Sequence, residues 1–168
     1  MENHDANSVS EILSCRFVTR DDESKLLIWR NKANVRMFSR SLALIDREAH
    51  SLWFKARLLE MRKQPLFIFE FEQKPIGMTR LDCINDLEGL FEISVIVDET
   101  FQNRGFATKM ISQTLLFAKI ELEAKEIAAV IHTDNVRSIQ LFTRLNFRRK
   151  AKSFDKFDEY RIYLQPSE

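Results

Sequence analysis

Residues 91–111, FEISVIVDETFQNRGFATKMI, constrain the chain more than any other stretch. The first half is an apolar run of strand length. From Gly105 the spacing changes, and Phe106, Met110, Ile111 and Leu115 fall on one helical face through about Ile120. Between them lies a short polar turn, Gln102-Asn103-Arg104-Gly105. A strand that delivers backbone N–H groups to a helix N-terminus is a physical recipe for holding a phosphate. The glycine spacing is neither G-x-G-x-x-G nor G-x-x-x-x-G-K-[ST], which sets aside the two common nucleotide loops.

The remaining elements fit around this unit. Residues 1–12 read as a loose tail and 13–168 as one domain, a length that buries a core without metal or disulfide. Residues 15–19 alternate as a first strand, and Asp21 and Asp22 can cap a helix through Asn31. Residues 31–44 have no clean period. Asp46 resembles an N-cap, followed by Leu52, Trp53, Ala56 and Leu59 at helical spacing until Pro65. Residues 66–72 and 76–84 predict a hairpin turning at Gln73-Lys74-Pro75, and 85–89 turns into a third antiparallel strand, 90–97. Residues 126–132, EIAAVIH, predict a strand buried on both faces. Asp134 or Asn135 caps a helix carrying Ile139, Phe142 and Leu145, with Asn146 at its left-handed end; 147–152 and 159–164 are the last strands. The order β-α-α-β-β-β-α-β-α-β-β predicts an α+β domain with a mixed sheet.

Lys+Arg 26 against Asp+Glu 25 leaves a net charge of +1, which gives no broad basic face for nucleic acid. Cys15 and Cys83 lack metal-ligand spacing and are expected to be buried thiols in a reducing compartment. No metal is expected. The N-terminus has no apolar or Arg-rich targeting pattern, and no apolar run approaches a membrane span. A cytoplasmic protein with no membrane partner is expected.

With this element order, Q-x-x-G-x-A at 102–107 and N-x-x-S-I-x-L-F at 135–142, followed by Asn146-Phe147, resemble the GNAT superfamily of acetyl-CoA-dependent N-acetyltransferases. The resemblance spans roughly residues 14–164. It implies a three-layer fold in which strands four and five splay apart. Acetyl-CoA would be the cosubstrate, its pyrophosphate on the turn and helix start at Gln102, Asn103, Arg104, Gly105, Phe106, Ala107 and Thr108. Its pantetheine arm would pair with strand four near Ile96 and Val97, with Asn135 and Phe142 alongside. Gly105 permits close backbone approach, and the helix dipole adds about half a positive charge there.

An amine acceptor is protonated at neutral pH and must lose a proton before it attacks a thioester. Glu92, a carboxylate in an apolar run, is the candidate base; the alternative is a solvent-facing residue on an alternating strand. His132 and His50 are further titratable groups. Many relatives carry a tyrosine where Phe142 stands, which protonates the departing thiolate. Phenylalanine cannot, so Ser138 or a water is the candidate donor.

Residues 26–54, with PIGMTRLD and FEIS, resemble the branch of the superfamily that acetylates nucleotide-linked amino sugars in pseudaminic-acid-type pathways. This implies acceptor contacts from Arg30, Met37, His50, Trp53 and Arg80, with Trp53 on a nucleobase and arginines on a diphosphate. Trp29 and Trp53 at helical spacing also fit plain core positions. Other readings are a protein N-terminal or polyamine acetyltransferase, and a catalytically silent acyl-CoA-binding module supported by Phe142. The final strand pair can support a homodimer, as in relatives.

Overall fold

A computed structural model of the chain describes residues 13–151 and 155–164. The tail expected over 1–12 lies outside the described residues, as does Lys152 at the end of the expected sixth strand. The chain begins with strand β1 (Ser14–Phe17), then helices α1 (Glu23–Asn31), α2 (Ala33–Arg36) and α3 (Arg47–Leu59). Strands β2 (Leu66–Phe71), β3 (Lys74–Asn85) and β4 (Leu90–Val97) follow. Helix α4 (Phe106–Glu121), strand β5 (Glu126–His132), helix α5 (Val136–Arg144) and strands β6 (Arg148–Ala151) and β7 (Phe157–Tyr163) complete it.

Local chemistry sets most of these boundaries. Asp46 caps α3 by accepting the Ala49 N–H at 2.9 Å. Asn135 caps α5 by accepting the Ser138 N–H at 3.2 Å, and Asn146 ends it in the left-handed region at φ 66°. Asp22 does not cap α1 as expected. It is buried and accepts from Arg16 and from the Thr19 N–H, so Thr19 opens a 3-10 turn ahead of the helix. The β2–β3 turn also differs. It is the pair Glu72-Gln73, both at positive φ, and Pro75 lies inside β3 opposite Glu70 at a register shift. A two-residue turn with both φ values positive matches the twist of the strands it joins.

The seven strands form one sheet in the order β1-β2-β3-β4-β5-β7-β6, mostly antiparallel with β4 and β5 parallel. The β4–β5 ladder is short, running only through Leu90–Glu126, Phe91–Ile127 and Glu92–Ala128. Beyond Glu92, β4 stays zipped to β3 as far as Gly77–Val97, whereas β5 stays zipped to β7 as far as His132–Phe157. Each strand follows its own neighbour, and the sheet opens into a V. The mixed sheet with splayed fourth and fifth strands matches the expected fold class.

Strand alternation then assigns the faces. Leu81, Phe91, Ile93, Ile127, Ala129 and Ile131 pack with Ile111 and Ala118 of α4 and Phe142 of α5. On the opposite face, Ile68, Met78 and Ile96 pack with Leu26 and Trp29 of α1 and Phe54 of α3. Trp29 is fully buried. A side chain of its size removes on the order of 200 Å² from water, which stabilises by about 5 kcal/mol. Its indole N–H also donates to Asp98 at 2.7 Å, tying α1 to the end of β4. Cys15 is exposed, because β1 is an edge strand, and Cys83 near the end of β3 is half-buried, contrary to the expected buried thiols. No helix among the described residues is long and apolar enough to cross a membrane.

Candidate active site in the splayed sheet

The opening of the V is a cleft of about 800 Å³, a size suited to a small-molecule site. Ile96 and Val97 line one wall, Ile131 and His132 the other, and the starts of α4 and α5 meet across its end. Where β4 has left β5, its backbone groups on that side have no ladder partner and are available to an extended ligand.

At the α4 end, the turn is bent by two left-handed residues, Asn103 at φ 62° and Gly105 at φ 77°. A Cβ built on Gly105 meets no atom within 4 Å, so glycine is required there by backbone conformation and not by crowding. The first turn of α4, whose N–H groups have no intrahelical acceptor, sits at the cleft, which Gly105, Phe106, Ala107 and Thr108 line. These features fit an acetyl-CoA pyrophosphate and arm. Arg104 contributes differently from its neighbours. Its guanidinium lies 5.3, 5.6 and 5.2 Å from the ring centres of Phe71, Phe101 and Phe106, packed outside the cleft.

The side chains of Gln102 and Asn103 are held by Arg137, whose two terminal nitrogens donate to Gln102 Oε1 at 3.0 Å and Asn103 Oδ1 at 2.8 Å. Gln102 in turn donates to the Val97 carbonyl at 3.1 Å. Arg137, two residues after the Asn135 cap, therefore fastens α5 to the turn and to the tip of β4. Sequence reasoning did not single it out, although it falls inside the N-x-x-S motif.

Midway along the cleft, Glu92 has a side chain 14% exposed, so it does not simply face solvent. It accepts from Arg40 at 2.8 Å. Arg40 belongs to the loop between α2 and α3, a stretch without periodicity that gave no sequence signal. Phe38 of the same loop sets its ring 5.7 Å from that of His132, edge to face. His132 Nδ1 accepts the Asp134 N–H at 3.1 Å, which leaves Nε2 to carry the proton of the neutral ring. Phe142 lines the cleft but is 3% exposed and packed edge-on against Phe147 at 4.9 Å. Ser138, one turn earlier, is the hydroxyl that reaches the cleft from the same helix.

At the acceptor end, Arg30 and Arg80 line the cleft. Arg80 is braced by Asp82 at 2.8 Å and lies near the Ser94 hydroxyl at 3.4 Å. Asp82 also accepts from Arg57. Arg30 has no such brace, and its buried Nη1 has no hydrogen-bond partner among the described residues. Burial, with Arg80 and Arg36 nearby, pulls its pKa below the ordinary arginine value. Three other residues expected to contact acceptor lie elsewhere. His50 is buried and bonded through Nε2 to the Glu23 carbonyl at 3.1 Å, joining α3 to α1. Trp53 packs on the α1–α3 core, with Arg57 and Arg80 each 5.7 Å from its ring centre. It stands behind Arg80 and does not line the cleft. Met37 is 54% exposed and also outside it.

Comparisons with known proteins agree with this geometry. A curated relative, an uncharacterised N-acetyltransferase of Methanocaldococcus jannaschii, is 27% identical over 103 residues, 58% of this chain and 45% of that protein. The chain thus spans under half the length of that relative. A domain from Methanocaldococcus jannaschii superposes with a TM-score of 0.81 at 20% identity, covering 92% of this chain and 100% of the other. Spermidine N-acetyltransferase from Vibrio cholerae, solved with CoA and spermine, gives 0.80 at 19% identity, covering 90% and 94%. The Salmonella typhimurium protein yncA, solved with its cofactor acetyl-CoA, gives 0.76 at 20% identity, covering 94% and 96%. At these identities the structures establish a shared fold. Residues 13–148 match the model described as an acetyltransferase (GNAT) domain, so the chain belongs to the GNAT acetyltransferase family.

Proposed function

We propose that this chain is an acetyl-CoA-dependent N-acetyltransferase whose acceptor carries an anionic group beside its amine, a nucleotide-linked deoxy-aminosugar fitting best. The observation that carries this reading is Arg30 in the cleft beside Arg80, its buried Nη1 without a hydrogen-bond partner among the described residues. A half-buried guanidinium whose buried nitrogen lacks an acceptor is costly, and an acceptor phosphate supplies one, with two oxygens that the guanidinium fork can bond in parallel. The wider lining agrees, with Arg30, Arg40, Arg80, Arg137 and Arg144 against Glu92 as its carboxylate. A polyamine, the substrate class of the Vibrio cholerae relative, calls for the opposite lining.

Bound acetyl-CoA supplies an activated acetyl group as a thioester. The N–H groups from Gly105 to Thr108 and the helix dipole hold its diphosphate, while the open β4 edge aligns the arm. Glu92 takes a proton from the acceptor ammonium, directly or through one water. A β4 backbone N–H faces the carbonyl oxygen as charge builds on it. The C–N bond forms as the C–S bond breaks, the nitrogen gives its second proton to water, and the sulfur leaves as thiolate. Phe142 cannot protonate it, and Ser138 is the α5 hydroxyl that lines the cleft. A thiolate near its own pKa leaves without help, so the silent-module reading does not follow from Phe142 alone.

Thiol release from acetyl-CoA, measured with UDP-glucosamine, spermidine and an alanine-led peptide, tests the acceptor. UDP-glucosamine turnover should exceed the others. Arg30→Met should raise its KM by about 10–100-fold, the range expected for losing a charged hydrogen-bonded contact, with acetyl-CoA affinity intact. A clear preference for spermidine, unaffected by Arg30→Met, would overturn the reading.

A further inference from the structure

We propose that Arg40 is a specificity-determining residue that stands where the acceptor ammonium must go. Its guanidinium neutralises Glu92 in the free protein, and a primary amine enters by exchange for it. This rests on the reading of Glu92 as the base.

Glu92 is largely buried, and a carboxylate in that setting needs a cation beside it. Arg80 on the neighbouring strand is nearby, but Asp82, the cross-strand partner of Glu92, holds it at 2.8 Å and is itself held by Arg57. The local arginines are thereby kept off Glu92. The cation that reaches it comes instead from a loop 52 positions away in sequence and is 63% exposed. An exposed guanidinium loses little when released to water, so the pair is easily exchanged.

The loop is built to let its middle go. Its far end is fastened by Arg36 donating to the Leu42 carbonyl at 2.6 Å, and by Asn31, which bonds both the carbonyl and the N–H of Ile45 at 2.8 and 2.9 Å. Among the described residues, the hydrogen bond of Arg40 to Glu92 and the ring contact of Phe38 with His132 hold the middle across the V, one on each arm. An ammonium on Glu92 satisfies the carboxylate as the guanidinium did and frees Arg40. Neutral hydroxyl acceptors do not replace the lost charge, which gives the site its preference for amines.

Kinetics with UDP-glucosamine and spermidine at saturating acetyl-CoA test the exchange. Arg40→Gln should lower the amine KM by roughly two- to fivefold, the worth of an exposed ion pair, with acetyl-CoA affinity unchanged. Arg40→Lys should restore the original KM. In a Glu92→Gln background the Arg40→Gln effect should vanish, since the shared partner is gone. A KM that is unchanged or raised in Arg40→Gln overturns the proposal; a rise confined to UDP-glucosamine makes Arg40 an anion contact instead. Absence of turnover with every amine counts against the enzymatic reading and not against Arg40. The Arg40 side-chain N–H signal, followed by NMR in the free protein, then decides. Methylammonium chloride should shift it toward its position in Glu92→Gln, and sodium chloride at equal ionic strength should not. Equal shifts overturn the exchange.

Discussion

The two ends of the cleft are built on different principles. The α4 end is local: Val97, Gln102, Gly105 and the first turn of α4 lie within a dozen positions, and Arg137 adds one clasp from α5. The acceptor end is assembled from afar. Trp29 meets Asp98 across 69 positions, and Arg40 meets Glu92 across 52. A phosphate-bearing cosubstrate shared by a whole family needs backbone N–H groups, which any side chains of suitable size leave in place. An acceptor is distinguished by side chains, and these must be brought in from separate elements.

If that division is right, changes at Glu92 should fall on chemistry and spare cofactor binding. Glu92→Gln removes the base but keeps its shape. Turnover should fall by about 10²–10⁴-fold, the usual worth of a positioned base, while acetyl-CoA binding measured by calorimetry stays the same. A rate within a few-fold of the original removes Glu92 from the mechanism.

Gly105→Ala probes the other end and should do the reverse. There is room for the methyl group, but the φ of 77° places a side chain in the left-handed region. That costs about 1–2 kcal/mol, either as lost stability or as a turn that relaxes and misdirects its N–H groups. Acetyl-CoA affinity should drop by roughly tenfold, with the amine KM little changed. Equal losses for both ligands would mean that the two ends are one mechanical unit.

The same division governs what could be read from the chain. Strand, turn and helix at 91–111 have their periodicities, glycine and caps within short windows, so the α4 end was legible, whereas the V was expected only from the family resemblance. Even there, a motif names residues and not atoms: Arg104 lies at the turn, yet its side chain stacks on Phe71, Phe101 and Phe106 outside the cleft. Residues 31–44 have no clean period, two long-range contacts shape the loop, and Arg40 went unseen. Trp53 showed helical spacing, but spacing does not say whether a ring ends in core or cleft. The hairpin turn was misplaced by proline. Glu72 and Gln73 adopt positive φ without the glycine or asparagine that normally announces it.

Asp98 joins the two ends and gives the smallest and most diagnostic effect. Burial alone would raise its pKa, but hydrogen bonds from the Trp29 indole and from Thr100, with Lys32 close by, outweigh burial and hold it below the ordinary carboxylate value. A carboxylate depressed by folding stabilises fully above its unfolded pKa of about 4 and loses that contribution as pH falls through its lower folded value. Trp29→Phe deletes one of those hydrogen bonds and leaves a small void beside Asp98. The void costs the same at every pH, whereas the hydrogen bond to a charged group, worth about 1.5–3 kcal/mol, weakens as Asp98 is protonated. Chemical denaturation of both proteins between pH 7 and pH 3 should therefore show a stability gap that is constant near neutrality and narrows in acid. A gap that holds its size down to pH 3 would mean that the Trp29 indole joins α1 to the end of β4 by packing and not through its hydrogen bond to Asp98, which leaves the Lys32–Glu99 pair as the charged link between the two ends.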